Sequence, residues 1–501
     1  MSKISPEIPL PFISLDRTLP APLYRQLYEG IRNSIFSGML KQGERMPSTR
    51  TWAEELSVSR NCVMQAFDQL LLEGFLEGRA GDGTYVCKQL PELPKRPAAE
   101  VGEEEVLPAQ VLPPPEIRTA YWLPGDVMER DSETETFLPF QLCVPSLDAF
   151  PFATWSKISS ATYRDIQLLH LGYNDAQGSL PLREALVDYL RINRSIRCTA
   201  EQIVIVNGSR QALQLAMQVL LSPGDECWME DPGYNAVKTA IMQRGAKLCP
   251  VPVTTQGIDI TYASTRYPNA KLAYVTPSHQ YPLGGTIPLS ERLRLLQWAS
   301  TNRMWIIEDD YDSEFRYNGR PIPALQGLDT NGNVIYVGTF SKVLFPALRL
   351  AYLVLPTQEV ARHFKIAKAV ADRHSPLIEQ RVLSTFITGG HFERHMRRMR
   401  VLYKKQQDTL IRLLQQHLSH EVTIAAADAG MHLVVWLLRD IPDMVVVRAA
   451  AARRLIVFPV TEFVVQFPQR PGLLLGFTGF TEEQLEQSVL CLKQVFADIS
   501  S

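Results

Sequence analysis

The residues with the strongest chemical implications stand where short apolar runs end. In "GTFSKVLFPALRL" (Gly338–Leu350) an apolar run closes on Ser341-Lys342, and Arg349 follows seven residues after the lysine. An unpaired ammonium is costly to bury. A lysine whose nitrogen is held as an imine with an aldehyde tolerates burial, and an arginine brought to the same pocket can grip a phosphate with two donors. Both demands fit pyridoxal phosphate, with Ser341 adding a hydroxyl to the phosphate. Taken alone the pair is weak evidence, because lysines at strand ends usually just reach water.

Three further stretches bear on the same chemistry. In "VNGSRQALQLAMQVLLSPGDE", Gly208 and Ser209 lie where a strand passes into an amphipathic helix that stops at Pro223-Gly224. A helix N-terminus beside a glycine is a ready phosphate site, although an ordinary N-cap looks the same. In "WMEDPGYNA", Tyr234 follows a Pro-Gly turn, where it stacks on a flat ring or is only a loop tyrosine. In "MWIIEDDYDSEF" a strand ends in acids. A carboxylate there, Asp309, can keep a pyridine nitrogen protonated while Tyr311 donates to the ring oxygen; acidic strand ends also occur without any ligand.

The elements that must position these residues follow from the pattern. After Phe137, helical patterns alternate with strand-length apolar runs ("EQIVIVN", "KLAYVTP", "MWIIEDD", "NVIYVGT"). This predicts a mostly parallel, doubly wound α/β sheet, whose ligands sit at the carboxyl ends of its strands. Upstream, prolines 91, 94, 97, 108, 113, 114, 115 and 124 and the run "GEEE" mark a stiff linker. The expected division is 1–88, a DNA-binding module; 89–136, a Pro-rich linker; and 137–501, an effector domain.

The 501 residues have a net charge of -2, 46% hydrophobic and 21% charged residues. That composition excludes wholesale disorder and a general affinity for acidic polymers. Seven cysteines without regular spacing read as reduced thiols. No C-x-x-C pair suggests zinc, so no metal is expected. No run reaches the length of a signal peptide or membrane span, and a cytoplasmic protein with no membrane partner is expected.

Within the N-terminal module, "MPSTRTWAEELSVSRNCVMQAFDQLLLEGFLEGRAGDGTYV" carries two helical patterns joined by "SVS". Trp52, Ala53 and Leu56 mark one apolar face, and Val63, Phe67, Leu70 and Leu71 the next. So short a joint predicts a helix-turn-helix, with Ser59 as N-cap and Arg60, Asn61, Met64 and Gln65 near the end that enters the major groove. "FLEGRAGDGTYV" reads as a two-stranded wing. Residues 1–90 hold ten Lys or Arg and ten Asp or Glu, so any basic footprint is local: Arg45, Arg50, Arg60 and Arg79. A small protein-interaction module is the plainer alternative.

The stretches "GERMPSTR", "SRNCV" and "GDGT" resemble the GntR winged helix-turn-helix family. That resemblance implies double-stranded DNA as partner, with Arg50, Ser59, Arg60, Asn61 and Gly81 at the contact; Cys62 replaces the usual threonine. The order Gly-Ser, Tyr, Asp, Tyr, Ser-Lys, Arg, entered through "GYNDAQGSLPLREALVDYL", resembles fold-type I aminotransferases over residues 137–501. It implies that Lys342 holds the cofactor aldehyde, Asp309 pairs with the ring nitrogen, Tyr311 reaches the ring hydroxyl and Tyr234 stacks. Gly208, Ser209, Ser341 and Arg349 would hold the phosphate, and His279 or Gln280, in "TPSHQYPLGG", would replace an asparagine. The two together resemble the MocR regulators. This implies a head-to-tail, domain-swapped homodimer and a small-molecule effector, either pyridoxal phosphate or an amine. An aminotransferase with an accessory DNA-binding domain and an interaction scaffold without cofactor are the rival expectations. One departure bears on them: Leu474, in "GLLLGFTGF", stands where aminotransferases have a carboxylate-binding arginine. The run "RHMRRMRVLYKK" reads either as a solvated helix face or as an extension of the DNA track.

Overall fold

Two helix starts in the N-terminal region are set by serines. The helix α1 (Leu23–Phe36) buries Leu27, Ile31 and Ile35 along one face. Next, α2 (Thr49–Glu55) and α3 (Arg60–Leu72) begin at Ser48 and Ser59, whose hydroxyls accept from the amides of Thr51 and Cys62, each at 3.2 Å. Each satisfies one orphan donor of a helix N-terminus. Residues 56–59 make the turn, with Ser57 at φ +52°. Val63, Ala66, Phe67 and Leu70 of α3 pack with Trp52 and Leu27 in one core. Leu71, expected in that core, is 36% exposed, because it lies about 100° round the helix from Leu70. Strands β1 (Leu76–Arg79) and β2 (Gly83–Val86) pair antiparallel as the wing.

The structure, a computed structural model, describes residues 13, 15–79, 82–90, 138–317 and 322–500. Gly81 and most of the expected linker lie outside them. The chain separates into two compact units, 1–116 and 117–501.

In the second unit, α4 (Phe152–Arg164) and α5 (Leu180–Arg194) precede β3 (Ile203–Val206), and α6 (Ser209–Leu220) follows it. The remaining strands are β4 (Glu226–Asp231), β5 (Lys247–Thr254), β6 (Gly257–Ile258), β7 (Leu272–Val275), β8 (Trp305–Asp310), β9 (Val334–Thr339), β10 (Ala351–Val354), β11 (Val422–Ile424), β12 (His432–Leu437), β13 (Phe458–Pro459) and β14 (Gly472–Gly476). Eight form one sheet in the order β3-β10-β9-β8-β7-β4-β5-β6. Its centre, from β9 to β5, is parallel, and β10 runs antiparallel to both neighbours. Alternate strand residues serve opposite faces. Ile203 and Ile205 of β3 join Leu182 and Leu186 of α5 in one core, while Val204 and Val206 join Leu213 and Ala216 of α6 in another. Burial on both faces explains why these strands read as continuous apolar runs.

The smaller antiparallel sheet has the order β11-β12-β14-β13. Leu473 and Leu475 of β14 face the main core, and Leu474 faces a separate cluster with Val434 and Phe458. The two sheets are tied by Asp231 at the end of β4, which accepts from the amides of Val465 (2.8 Å), Gln466 (2.6 Å) and Phe467 (3.0 Å). Among the described residues no helix is long and apolar enough to cross a membrane.

Candidate functional site

The carboxyl ends of β3, β8 and β9 open on a cavity of about 390 Å³, and the residues singled out in the sequence converge there. Its lining includes Ser209, Tyr234, Asp309, Tyr311, Ser341, Lys342 and Arg349. Asp309 is the penultimate residue of β8; it is 5% exposed, and Tyr274 of the adjacent β7 donates to its Oδ2 at 2.8 Å. Burial pushes the Asp309 carboxyl up to about 7; the Tyr274 hydrogen bond opposes this, Asp310 and Asp312 add to it, and Lys342 opposes it. A buried acid that Lys342 holds back only in part is a natural partner for a protonated ring nitrogen.

At the other end the backbone makes a cradle. Gly208 has φ +100°, and a Cβ on it would meet Nη2 of Arg349 at 2.9 Å. Arg349 itself has φ +51° and donates from Nη2 to the carbonyl of Asn207 at 3.0 Å. The turn is fixed from below: Asn207 Nδ2 and Gln211 Nε2 donate to Asp372 at 2.5 and 2.7 Å, and Lys368 pairs with the same carboxylate. Here α6 begins at Ser209 with no side-chain cap, so its first amides are available to an anion. The Ser341 hydroxyl is buried without a hydrogen-bond partner among the described residues. Buried hydroxyls rarely stay unsatisfied. An orphaned hydroxyl, an arginine fork and an uncapped helix start on one cradle fit a phosphate.

His279 does not line the cavity. It lies behind Tyr311, its Nδ1 2.9 Å from the Tyr311 hydroxyl and 2.9 Å from Asp312 Oδ2. Gln280 is used up locally: its Nε2 donates to the carbonyls of Pro232 (2.9 Å) and Tyr281 (2.6 Å), and its Oε1 accepts from the Leu283 amide at 3.0 Å. The side chain that reaches the lining from this loop is Tyr281, in edge contact with Tyr234 and Tyr311 at centroid distances of 5.5 and 5.7 Å. Sequence reasoning also missed Tyr274 and the segment Gln141–Val144, which lines the cavity from far upstream. For Tyr281 the only signal was its place beside Pro282 in the loop.

In the N-terminal unit Arg45, Arg50, Arg60, Asn61, Met64 and Gln65 are exposed. Arg50 and Arg60 make no hydrogen bond or ion pair among the described residues. Arg79 pairs with Glu77 at 2.7 Å and lies over the Tyr85 ring. In the second unit the basic run occupies the helix His391–Leu418, where Arg397 pairs with Glu393 at 3.5 Å, Lys404 with Asp408 at 2.5 Å, and Lys405 with Glu482. Those local partners favour the solvated-face reading.

Residues 23–86 match the family described as bacterial regulatory proteins, gntR family, and residues 163–489 match aminotransferase class I and II. Over 487 residues the chain is 39% identical to the probable rhizopine catabolism regulatory protein MocR of Rhizobium meliloti, covering 97% of this chain and 96% of that one. The chain belongs to the MocR family of GntR-type regulators. Another relative is the pyridoxine biosynthesis transcriptional regulator PdxR of Corynebacterium glutamicum, 31% identical over 94% of this chain and 96% of its own. Among solved structures the chain is similar to a Pyrococcus horikoshii kynurenine aminotransferase in complex with PMP (TM-score 0.68, 27% identity, 74% of this chain and 93% of that one). It is likewise similar to the α-aminoadipate aminotransferase LysN of Thermus thermophilus, complexed with N-(5'-phosphopyridoxyl)-L-leucine (TM-score 0.67, 26% identity, 72% and 92%). This MocR-family chain is thus a DNA-binding transcriptional regulator with an aminotransferase-like domain, and the two solved aminotransferases it is similar to are in complex with PMP and with N-(5'-phosphopyridoxyl)-L-leucine.

Proposed function

We propose that this regulator holds pyridoxal phosphate on Lys342, reads an amine or the cofactor itself, and acts as a domain-swapped homodimer on a DNA operator in the cytoplasm. The proposed division of labour is residues 1–88 for DNA, 89–136 as linker and 137–501 for the effector. One observation carries the cofactor reading: Lys342, buried Asp309 and the unsatisfied Ser341 hydroxyl face one cavity with the Gly208–Arg349 cradle at its end. The cofactor supplies an aldehyde that bonds reversibly to primary amines and a ring that withdraws electrons.

This chain's side chains do the rest. Lys342 Nζ would hold the aldehyde carbon, and Ser209, Ser341, Arg349 and the first amides of α6 would hold the phosphate. Asp309 would pair with the protonated ring nitrogen, and Tyr234 would stack on the ring. A carboxylate can only accept, so the His279 proton lies on Nδ1, shared between Asp312 and the Tyr311 oxygen. The phenol's own proton is then free to point into the cavity, where Tyr311 would donate to the ring oxygen of a bound cofactor. On the DNA side Arg50, Ser59, Arg60 and Asn61 are the proposed contacts, with Gly81 in the wing.

The test is optical. Purified protein should show a visible band that borohydride bleaches, and Lys342→Ala should lack it. An unchanged band in Lys342→Ala would refute the assignment.

A further inference from the structure

With the proposed cofactor groups and Tyr274 set aside, the rest of the lining is nearly uncharged: Leu142, Val144, Tyr281, Pro346 and Phe458 stand beside the neutral polar residues Gln141, Cys143 and Thr339. Among the described residues three cations line the cavity: Lys342, Arg210 and Arg349. Arg210 directly follows Ser209 in the first turn of α6, and Arg349 abuts Gly208, so both belong to the phosphate end. Arg210 already has a partner within the chain. Behind the lining, Phe458 of β13 is in register with Leu474 of β14. Leu474 is 0% exposed and packs with Val434, Val460 and Phe463, while Leu142 and Tyr281 pack against the same cluster. Behind Leu142 and Phe458 the wall is therefore apolar two layers deep, and behind Tyr281 lies the His432 ring at 5.9 Å between centroids, its imidazole pushed down to about 4 by burial. An ionised carboxylate placed on it would lose its water and gain no cation in return.

We infer that the effector is a primary amine with no carboxylate beside its amino group, and that its carbon substituent lies on the wall of Leu142, Tyr281 and Phe458. The inference rests on the cofactor reading above. The exchange needs no oxidant: a C–N bond to the incoming nitrogen forms as the one to Lys342 Nζ breaks, and two protons pass from the incoming amine to Nζ. Apolar area removed from water then ranks the ligands.

Isoamylamine and L-leucine share one carbon skeleton and differ by the carboxylate, and methylamine lacks the skeleton. Each is titrated into the full-length holo protein, and the half-maximal concentration is read from the visible band. Isoamylamine should act at a concentration at least tenfold below both leucine and methylamine, and Phe458→Ala should narrow its advantage over methylamine. Leucine matching isoamylamine, methylamine matching it, or no shift with any of the three would each overturn the inference. Absence of a reducible band before any ligand is added would instead be a failure of the cofactor reading. The wild-type comparison stands even if Phe458→Ala does not fold.

Discussion

Asp309 shows how one residue's burial becomes a property of the whole protein. Its carboxyl is pushed from 3.8 to about 7, first by loss of water. Between those values the folded chain keeps a proton that the unfolded chain has released, so stability falls as pH rises through the window. Glu230, Glu308 and Glu314, each pushed up to about 7 chiefly by burial, act in the same direction. Cofactor-free protein should accordingly be less stable at pH 8 than at pH 5, and Asp309→Asn should flatten that dependence by on the order of 1 kcal/mol or more. Urea midpoints of both proteins at the two pH values check this; equal pH dependence would count against it. The same variant should bind the cofactor more weakly, since an amide cannot balance a ring cation. The sequence made Asp309 legible because an acid closing an apolar run is conspicuous. It could not decide between His279 and Gln280 and did not point to Tyr281, because which of three consecutive loop residues faces inward depends on backbone turns fixed by distant partners. Those partners are Asp312 for the first and Pro232 for the second.

At the scale of elements, legibility followed locality. In the N-terminal unit α2 and α3 were readable because their apolar stripes, and the Ser59 cap of α3, are written in consecutive residues, as were the strands whose final residues enter the cavity; α1, which has no side-chain cap, was not read. The apolar wall was not, since Leu142, Tyr281 and Phe458 meet only through the tertiary fold. The cap of α3 gives a test that separates folding from DNA contact. Ser59→Ala should cost about 1 kcal/mol of stability in the N-terminal unit. Ser59→Asp should keep the cap, and its charge suits the helix start, yet it should repel phosphate. Arg60→Ala should lower the salt slope of binding by about one if it contacts phosphate, or cost ~1–3 kcal/mol at one base position if it reads a base. Thermal melts and salt titrations on a DNA fragment selected from a random pool distinguish these. A Ser59→Asp protein that binds DNA like wild type would remove Ser59 from the interface.

For the molecule as a whole the question is why a nearly complete cofactor site should serve regulation rather than turnover. Transamination needs the labile bond held over the ring, and such positioning is worth ~7–11 kcal/mol. A carboxylate clamp does much of that holding, and here Phe458, backed by the buried Leu474, offers apolar surface in its place. On the proposed cofactor reading, exchange at Lys342 needs only an amine, so ligands would bind without being processed. Regulation asks for less: a coupling of about 1–3 kcal/mol between effector and DNA changes affinity by roughly 5- to 150-fold. Such coupling is reciprocal. If an amine changes the holo protein's affinity for its selected DNA by some factor, saturating DNA should change the amine's half-maximal concentration by the same factor. Alongside this, standard amino acids with a keto-acid acceptor should give turnover far below the ~10 per second of an ordinary enzyme. Turnover at that ordinary rate, with DNA affinity indifferent to cofactor and amine, would make the chain an aminotransferase that carries a DNA-binding module. Unequal factors in the two directions would mean that the amine acts on DNA binding through something other than the site at Lys342.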